Sequence, residues 1–142
     1  MHTRGRPQEW RTLPAVAPAE VVPLVLRDLK ARAESALAAG IQPDQIVLDP
    51  GFGFGKRLDE NYPLLAALGE LRTLGYPVLA GLSRKSFLTQ ITRSEDSITA
   101  ANTAAILAGA HILRVHDVPP ARQAAAVADR ILAARAAGYS SP

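Results

Sequence analysis

The chain has 142 residues, 48% of them apolar and 20% charged, with a formal net charge of +3, a globular composition with room for one domain and its own core. It holds no cysteine, which excludes disulfides, thiolate metal sites and cysteine nucleophiles and fits a reducing cytoplasm. No apolar run approaches the roughly 18 residues of a membrane span. The N-terminus lacks the basic-then-apolar order of a signal peptide. Arg4, Arg6 and Arg11 concentrate charge at the start, but the basic residues form no stripe interleaved with aromatics, so a nucleic-acid partner is not expected.

Residues 1 to 17, with Gly5, Pro7 and Pro14 and with Pro18 just beyond, read as a loop. From about Ala19 to Ala39, Val22, Val25, Leu26, Leu29, Ala33, Ala36 and Leu37 recur at three- and four-residue steps, which predicts a helix closed by Gly40. Pro23 is tolerable only near its first turn. The apolar run Ile46-Val47-Leu48 stops at Asp49-Pro50-Gly51 and reads as a strand. Pro63 to about Leu74 reads as a helix ended by Gly75. Pro77 to Ala80 is a second strand ending at Gly81, and an Ala-rich helix from about Ile98 to Leu107 is closed by Gly109. Ile112 to Val115 is a third strand ending at His116-Asp117, and a last helix runs from about Pro120 to Ala137.

Strand and helix thus alternate with a repeat of roughly 33 residues, which suits βαβ construction. The short, wholly apolar strands predict a parallel sheet buried on both faces. Three strands do not close a barrel, and a complete eight-unit barrel takes at least about 200 residues. The expected fold is therefore α/β: part of a barrel, or a small open sheet of its own.

Ligands in such folds bind at the carboxyl ends of the strands. The first exit, DPGFGFGK, lacks the Gly at 50 and the Ser or Thr at 57 that a P-loop needs, and its third glycine comes one residue early for a dinucleotide fingerprint. What remains is a tight loop headed by Asp49, whose carboxylate can accept two parallel bonds from a guanidine-like edge such as a pterin's or guanine's. An ordinary Asp-Pro-Gly turn fits the same residues. The second exit sets Ser83, Arg84, Lys85 and Ser86 at the next helix's start, where free N–H groups and hydroxyls suit an anion, or where a serine simply caps the helix. The third exit sets Arg114 and His116 two apart on one strand face, able to converge on a diphosphate, or else to be a surface arginine and a core histidine. His111, at the opposite end of that strand, reads as structural. His2, Lys56 and Asp117 read as solvated or turn residues.

DPGFGFGK, G-x-SRKSF and RVHDV, in this order and about thirty residues apart, together with the opening MHTRGRP, resemble the C-terminal half of the dihydropteroate synthases. That resemblance implies a pterin-binding TIM (β/α)8 barrel in which residues 1–142 are the C-terminal part of a single domain. Ile46 to Leu48, Val78 to Ala80 and Ile112 to Val115 would be strands six to eight, with their helices and the preceding one. It implies condensation of a dihydropterin methyl diphosphate with 4-aminobenzoate in folate biosynthesis, in competition with sulfonamides. In this carry-over Asp49 grips the pterin's amino and ring N–H groups, Gly81 and Lys85 lie along the ring, and Arg114 stacks on it and holds diphosphate with His116. Phe54 and Ser86 serve 4-aminobenzoate, Ser83 belongs to the substrate-binding exit, and Met1 matches an apolar wall. Magnesium is implied, with its protein ligand in the first half of the family's barrel; no metal ligand is assigned here. A homodimer is implied for the full-length enzyme. Strands one to five find no match in this sequence, so the chain alone is expected to be unstable and inactive. A pterin-dependent methyltransferase barrel, which would not need the SRKS and RVHDV grips, and a non-catalytic binding or dimerisation module are the alternatives.

Overall fold

The structure, a computed structural model, describes residues 1–91, 94 and 96–138. A 21-residue helix, α1 (Pro18–Ala38), matches the apolar periodicity. It ends in a Schellman pair: Gly40 donates its N–H to the Leu37 carbonyl (2.9 Å) and Ile41 to that of Ala36 (3.1 Å). Because the helix starts at Pro18, Pro23 is its sixth residue, inside the helix and exposed. It removes one bond, to the Ala19 carbonyl.

The expected helix over 63–74 is divided. α2 (Asn61–Ala66) gives way to tighter 3-10 turns over Leu68–Leu74. Gly69, within those turns, lies so close to the chain after the next long helix that a β-carbon there would stand 2.8 Å from the Ala108 carbonyl oxygen. β1 (Leu79–Ala80) is followed by a single-turn helix, α3 (Ser86–Thr89). Then come α4 (Asp96–Leu107), β2 (Ile112–Leu113) and α5 (Val118–Ala136).

β1 and β2 pair in parallel, Leu79 opposite Ile112 and Ala80 opposite Leu113. Of the run Ile46–Leu48 only Leu48 joins, as a parallel bridge to Val78. The three segments therefore run side by side with β1 central, and their carboxyl ends emerge together. Burial is not two-sided, contrary to expectation: Val47 is 42% and Ile112 39% exposed, while Leu48, Val78 and Ala80 are buried. The strands are correspondingly short.

The core lies between this sheet and the helices. Val21, Val25, Leu29 and Ala33 of α1, each four residues apart, meet Leu64, Leu68 and Leu71 and the strand residues Leu48, Val78 and Ala80. Each of these Val and Leu side chains contributes about 1.5–3 kcal/mol by leaving water. Phe52 and Phe87 stack beneath the loop exits at 6.1 Å. α4 packs on α5. Among the described residues no helix is long and apolar enough to cross a membrane.

Candidate functional site

The glycine loop of the first exit is tied down at every turn. Asp49 Oδ1 accepts the Gly51 N–H at 2.7 Å, and its second oxygen takes no hydrogen bond from the described residues. Phe54 donates its N–H to the Gly51 carbonyl at 3.1 Å. Gly53 donates to Oδ1 of the buried Asn61 at 2.7 Å, and Asn61 Nδ2 in turn donates to the carbonyls of Arg57 and Leu58.

The N-terminal segment straps this loop. His2 donates its N–H to the Asp49 carbonyl at 2.8 Å and Arg4 to that of Phe54 at 3.3 Å. The Arg4 guanidinium reaches the carbonyls of Gly55 and Pro14 and pairs with the buried Glu60. At Gly51 the strap is so close that a β-carbon would fall 1.9 Å from the His2 carbonyl oxygen, and φ is +68°. Only glycine fits both conditions.

Two cations lie at the strand ends, one over the loop and one over the second exit. Lys85 Nζ stands 4.2 Å from the Phe54 ring centroid, a cation–π distance. Its alkyl chain passes Gly53, where a β-carbon would be 3.6 Å from Cδ. Partial burial lowers its pKa, the nearby Arg114 lowers it further and Asp49 opposes both. The Arg114 guanidinium covers Gly81, with Nη2 2.7 Å from where a β-carbon would be. Asp49, Phe54, Gly81, Lys85 and Arg114 therefore form one cluster at the strand ends.

His116 and Ser83 line an adjoining cavity of about 290 Å³ with Arg84, Thr99, Asn102 and Asp117. The predicted convergence is thus divided: Arg114 leans towards Lys85, while His116 faces the Ser83 side. Ser86 opens α3, exposed, and no serine hydroxyl caps that helix. Arg84 is the one non-glycine residue among those described with positive φ (+59°), a conformation costing about 1–2 kcal/mol. His111 has the structural role expected of it, accepting the Val78 N–H on Nδ1 at 3.1 Å.

His2 and Lys56 overturn the solvated readings. Both are buried, at 0% and 7% exposure. Their partners are distant in sequence or belong to a loop backbone, so no local spacing signals them. His2 bonds Asp28 of α1 at 3.2 Å through Nε2. Burial, then the Lys56 charge, push its pKa down to about 4 despite Asp28. Burial likewise pushes Lys56 down to about 7, against the pull of Asp49. Trp10 was not singled out by its sequence context either, yet it meets Phe54 edge-on at 5.4 Å.

The unfolded chain protonates His2 at its ordinary value of 6.5, whereas the folded chain resists until about 4. Stability from this residue is complete above pH 6.5 and lost as pH falls towards 4. The melting temperature is expected to drop by roughly 10 °C across that window, and His2→Gln should flatten the drop. An equal drop in the variant would assign it to other groups.

Parallel segments thus bring a carboxylate-headed loop and two cations together at their carboxyl ends, where α/β folds bind ligands. The chain belongs to the pterin binding enzyme family, whose model matches residues 1–116. It is similar to the dihydropteroate synthase of Neisseria meningitidis serogroup C, 46% identical over 125 residues that cover 83% of this chain and 44% of that protein. It is also similar to that of Escherichia coli strain K12, 40% identical over 143 residues covering 95% and 49%. The crystal structure of Yersinia pestis dihydropteroate synthase with a sulfonamide drug complex superposes with a TM-score of 0.86 at 35% identity, covering 94% of this chain and 50% of that one. The Xanthomonas albilineans enzyme in complex with 7,8-dihydropteroate gives 0.77 at 42% identity, covering 85% and 48%. The chain spans about half the length of the curated relatives it matches.

Proposed function

We propose that the chain carries the pterin-side residues of a dihydropteroate synthase, as strands six to eight and the surrounding helices of one TIM-barrel domain. The reading rests on one observation: Asp49, Phe54, Gly81, Lys85 and Arg114 cluster at the shared carboxyl end of parallel segments, with Lys85 in the field of both Asp49 and Arg114.

The free oxygen of Asp49 accepts from the amino and ring N–H groups of a dihydropterin, and Lys85 meets its carbonyl edge. Gly81, having no side chain, lets the Arg114 guanidinium lie against the chain, with its outer face open to stack on the ring. The methylene–oxygen bond of the substrate breaks, diphosphate departs with the electron pair, and the arylamine nitrogen forms the new carbon–nitrogen bond and gives up a proton. Arg114 stabilises the departing anion from the Gly81 side, and His116 and Ser83 face it from the adjoining cavity. Phe54 and Ser86 border the 4-aminobenzoate side. No protein nucleophile is required; the residues supply position and charge. Among the described residues no group of three His, Cys, Asp or Glu side chains could hold a metal. The magnesium implied by the resemblance has its protein ligand in the first half of the family's barrel, and no step is assigned to it here. A cytoplasmic location, and a homodimer for the full-length enzyme, belong to the same proposal.

Calorimetric titration with pteroic acid and a condensation assay test the reading. The 142-residue chain is expected to bind pteroic acid without turning over substrates. No heat up to millimolar ligand would sink it. Arg114→Ala should weaken binding of the pterin diphosphate by at least about tenfold more than binding of the bare pterin. Equal losses for the two ligands would contradict the leaving-group role.

A further inference from the structure

Lys56 is a buried cation that the proposed chemistry does not use. Burying an ammonium is costly unless its donors are matched, and an apolar side chain would fill the same space more cheaply. Its Nζ donates to the Gly51 carbonyl at 2.7 Å, with the Phe54 carbonyl at 3.5 Å. The same Gly51 carbonyl accepts the Phe54 N–H, and the Gly51 N–H is held by Asp49. One ammonium thus closes a turn whose two ends carry the carboxylate and the aromatic ring of the cluster. Asp49 and Glu60 face it with negative charge; Arg4 and Lys85 face it with positive charge, and His2 lies within the same field.

We propose that Lys56 is a positioning residue: it pins the Asp49–Phe54 turn so that the Asp49 carboxylate and the Phe54 ring hold their geometry before any ligand arrives. The inference rests on the pterin-side reading for its consequence in binding, but not for its effect on the loop. Rigid placement of contact residues by their supporting neighbours is what preserves affinity in such sites.

The sole tryptophan, Trp10, touches the Phe54 ring and reports on it directly. Lys56→Met is expected to keep the helical circular dichroism of the chain, shift Trp10 emission to the red, and weaken pteroic acid binding by at least about tenfold. Trp10 emission unchanged in a folded variant would overturn the proposal, whatever the ligand does. If the wild-type chain fails to bind pteroic acid, the pterin reading falls, while Trp10 emission still decides the role of Lys56. Should Lys56→Met not fold, the ¹⁵N-labelled wild-type chain gives the answer. A pinned Lys56 shows slowly exchanging Nζ protons titrating near pH 7 instead of 10.5, and the absence of any protected Nζ signal overturns the proposal.

Discussion

Gly51→Ala is expected to destabilise the chain by at least about 3 kcal/mol. Two effects combine at this position. The residue sits at φ +68°, which costs an L side chain about 1–2 kcal/mol. The added methyl would also lie 1.9 Å from the His2 carbonyl oxygen, a backbone atom that no rotamer change can remove. Relief requires the N-terminal strap to lift, which breaks the bond from the His2 N–H to Asp49 and exposes the buried imidazole. Gly75→Ala is the control: φ is +81° with nothing within 4 Å of the added carbon, so only the conformational cost applies. Urea unfolding of both variants separates the terms. Similar losses in the two would mean that the strap yields freely and does not hold the loop.

The contrast between these two glycines shows what the sequence could and could not reveal. Glycines at chain turns are visible as punctuation, and the ends of α1, α4 and α5 fell within two residues of where periodicity and closing glycines put them. The three exits were equally legible, because polar and glycine-rich residues after short apolar runs stand out. Pairing was not. Ile46, Val47 and Leu48 are uniformly apolar, yet only Leu48 bridges, since this segment has β1 on one side and no strand on the other among the described residues. Apolar spacing does not distinguish the 3-10 turns over Leu68–Leu74 from the α-helix before them, nor does it show that Gly69 there lies against the Ala108 carbonyl. Most of all, burial of His2, Lys56 and Glu60 depends on partners brought in by folding. A charged residue reads as solvated until its neighbours are known.

The same dependence makes Asp49→Asn the sharpest test of the site. The substitution keeps the shape of the side chain and an oxygen for the Gly51 N–H, so the turn and the overall fold should survive. It removes the charge and puts an amide N–H₂ where a second acceptor is required. Both donors of a pterin edge then face the amide N–H₂ in place of the free carboxylate oxygen, and two charge-assisted bonds are lost. The expected penalty is about 3 kcal/mol or more, a loss of roughly a hundredfold in affinity for pteroic acid. A second consequence is independent of any ligand. Asp49 is the leading influence that keeps Lys56 charged and also supports the charge on Lys85. Without it both amines should titrate lower still, Lys56 below its value of about 7. Nζ chemical shifts followed against pH would register that change. Asp59→Asn, on an exposed residue beyond the loop, should alter neither quantity. Wild-type affinity in Asp49→Asn would remove the carboxylate from the recognition of the heterocycle. A lost affinity with the Lys56 titration unmoved would show that Asp49 binds the ligand without governing the charges around it.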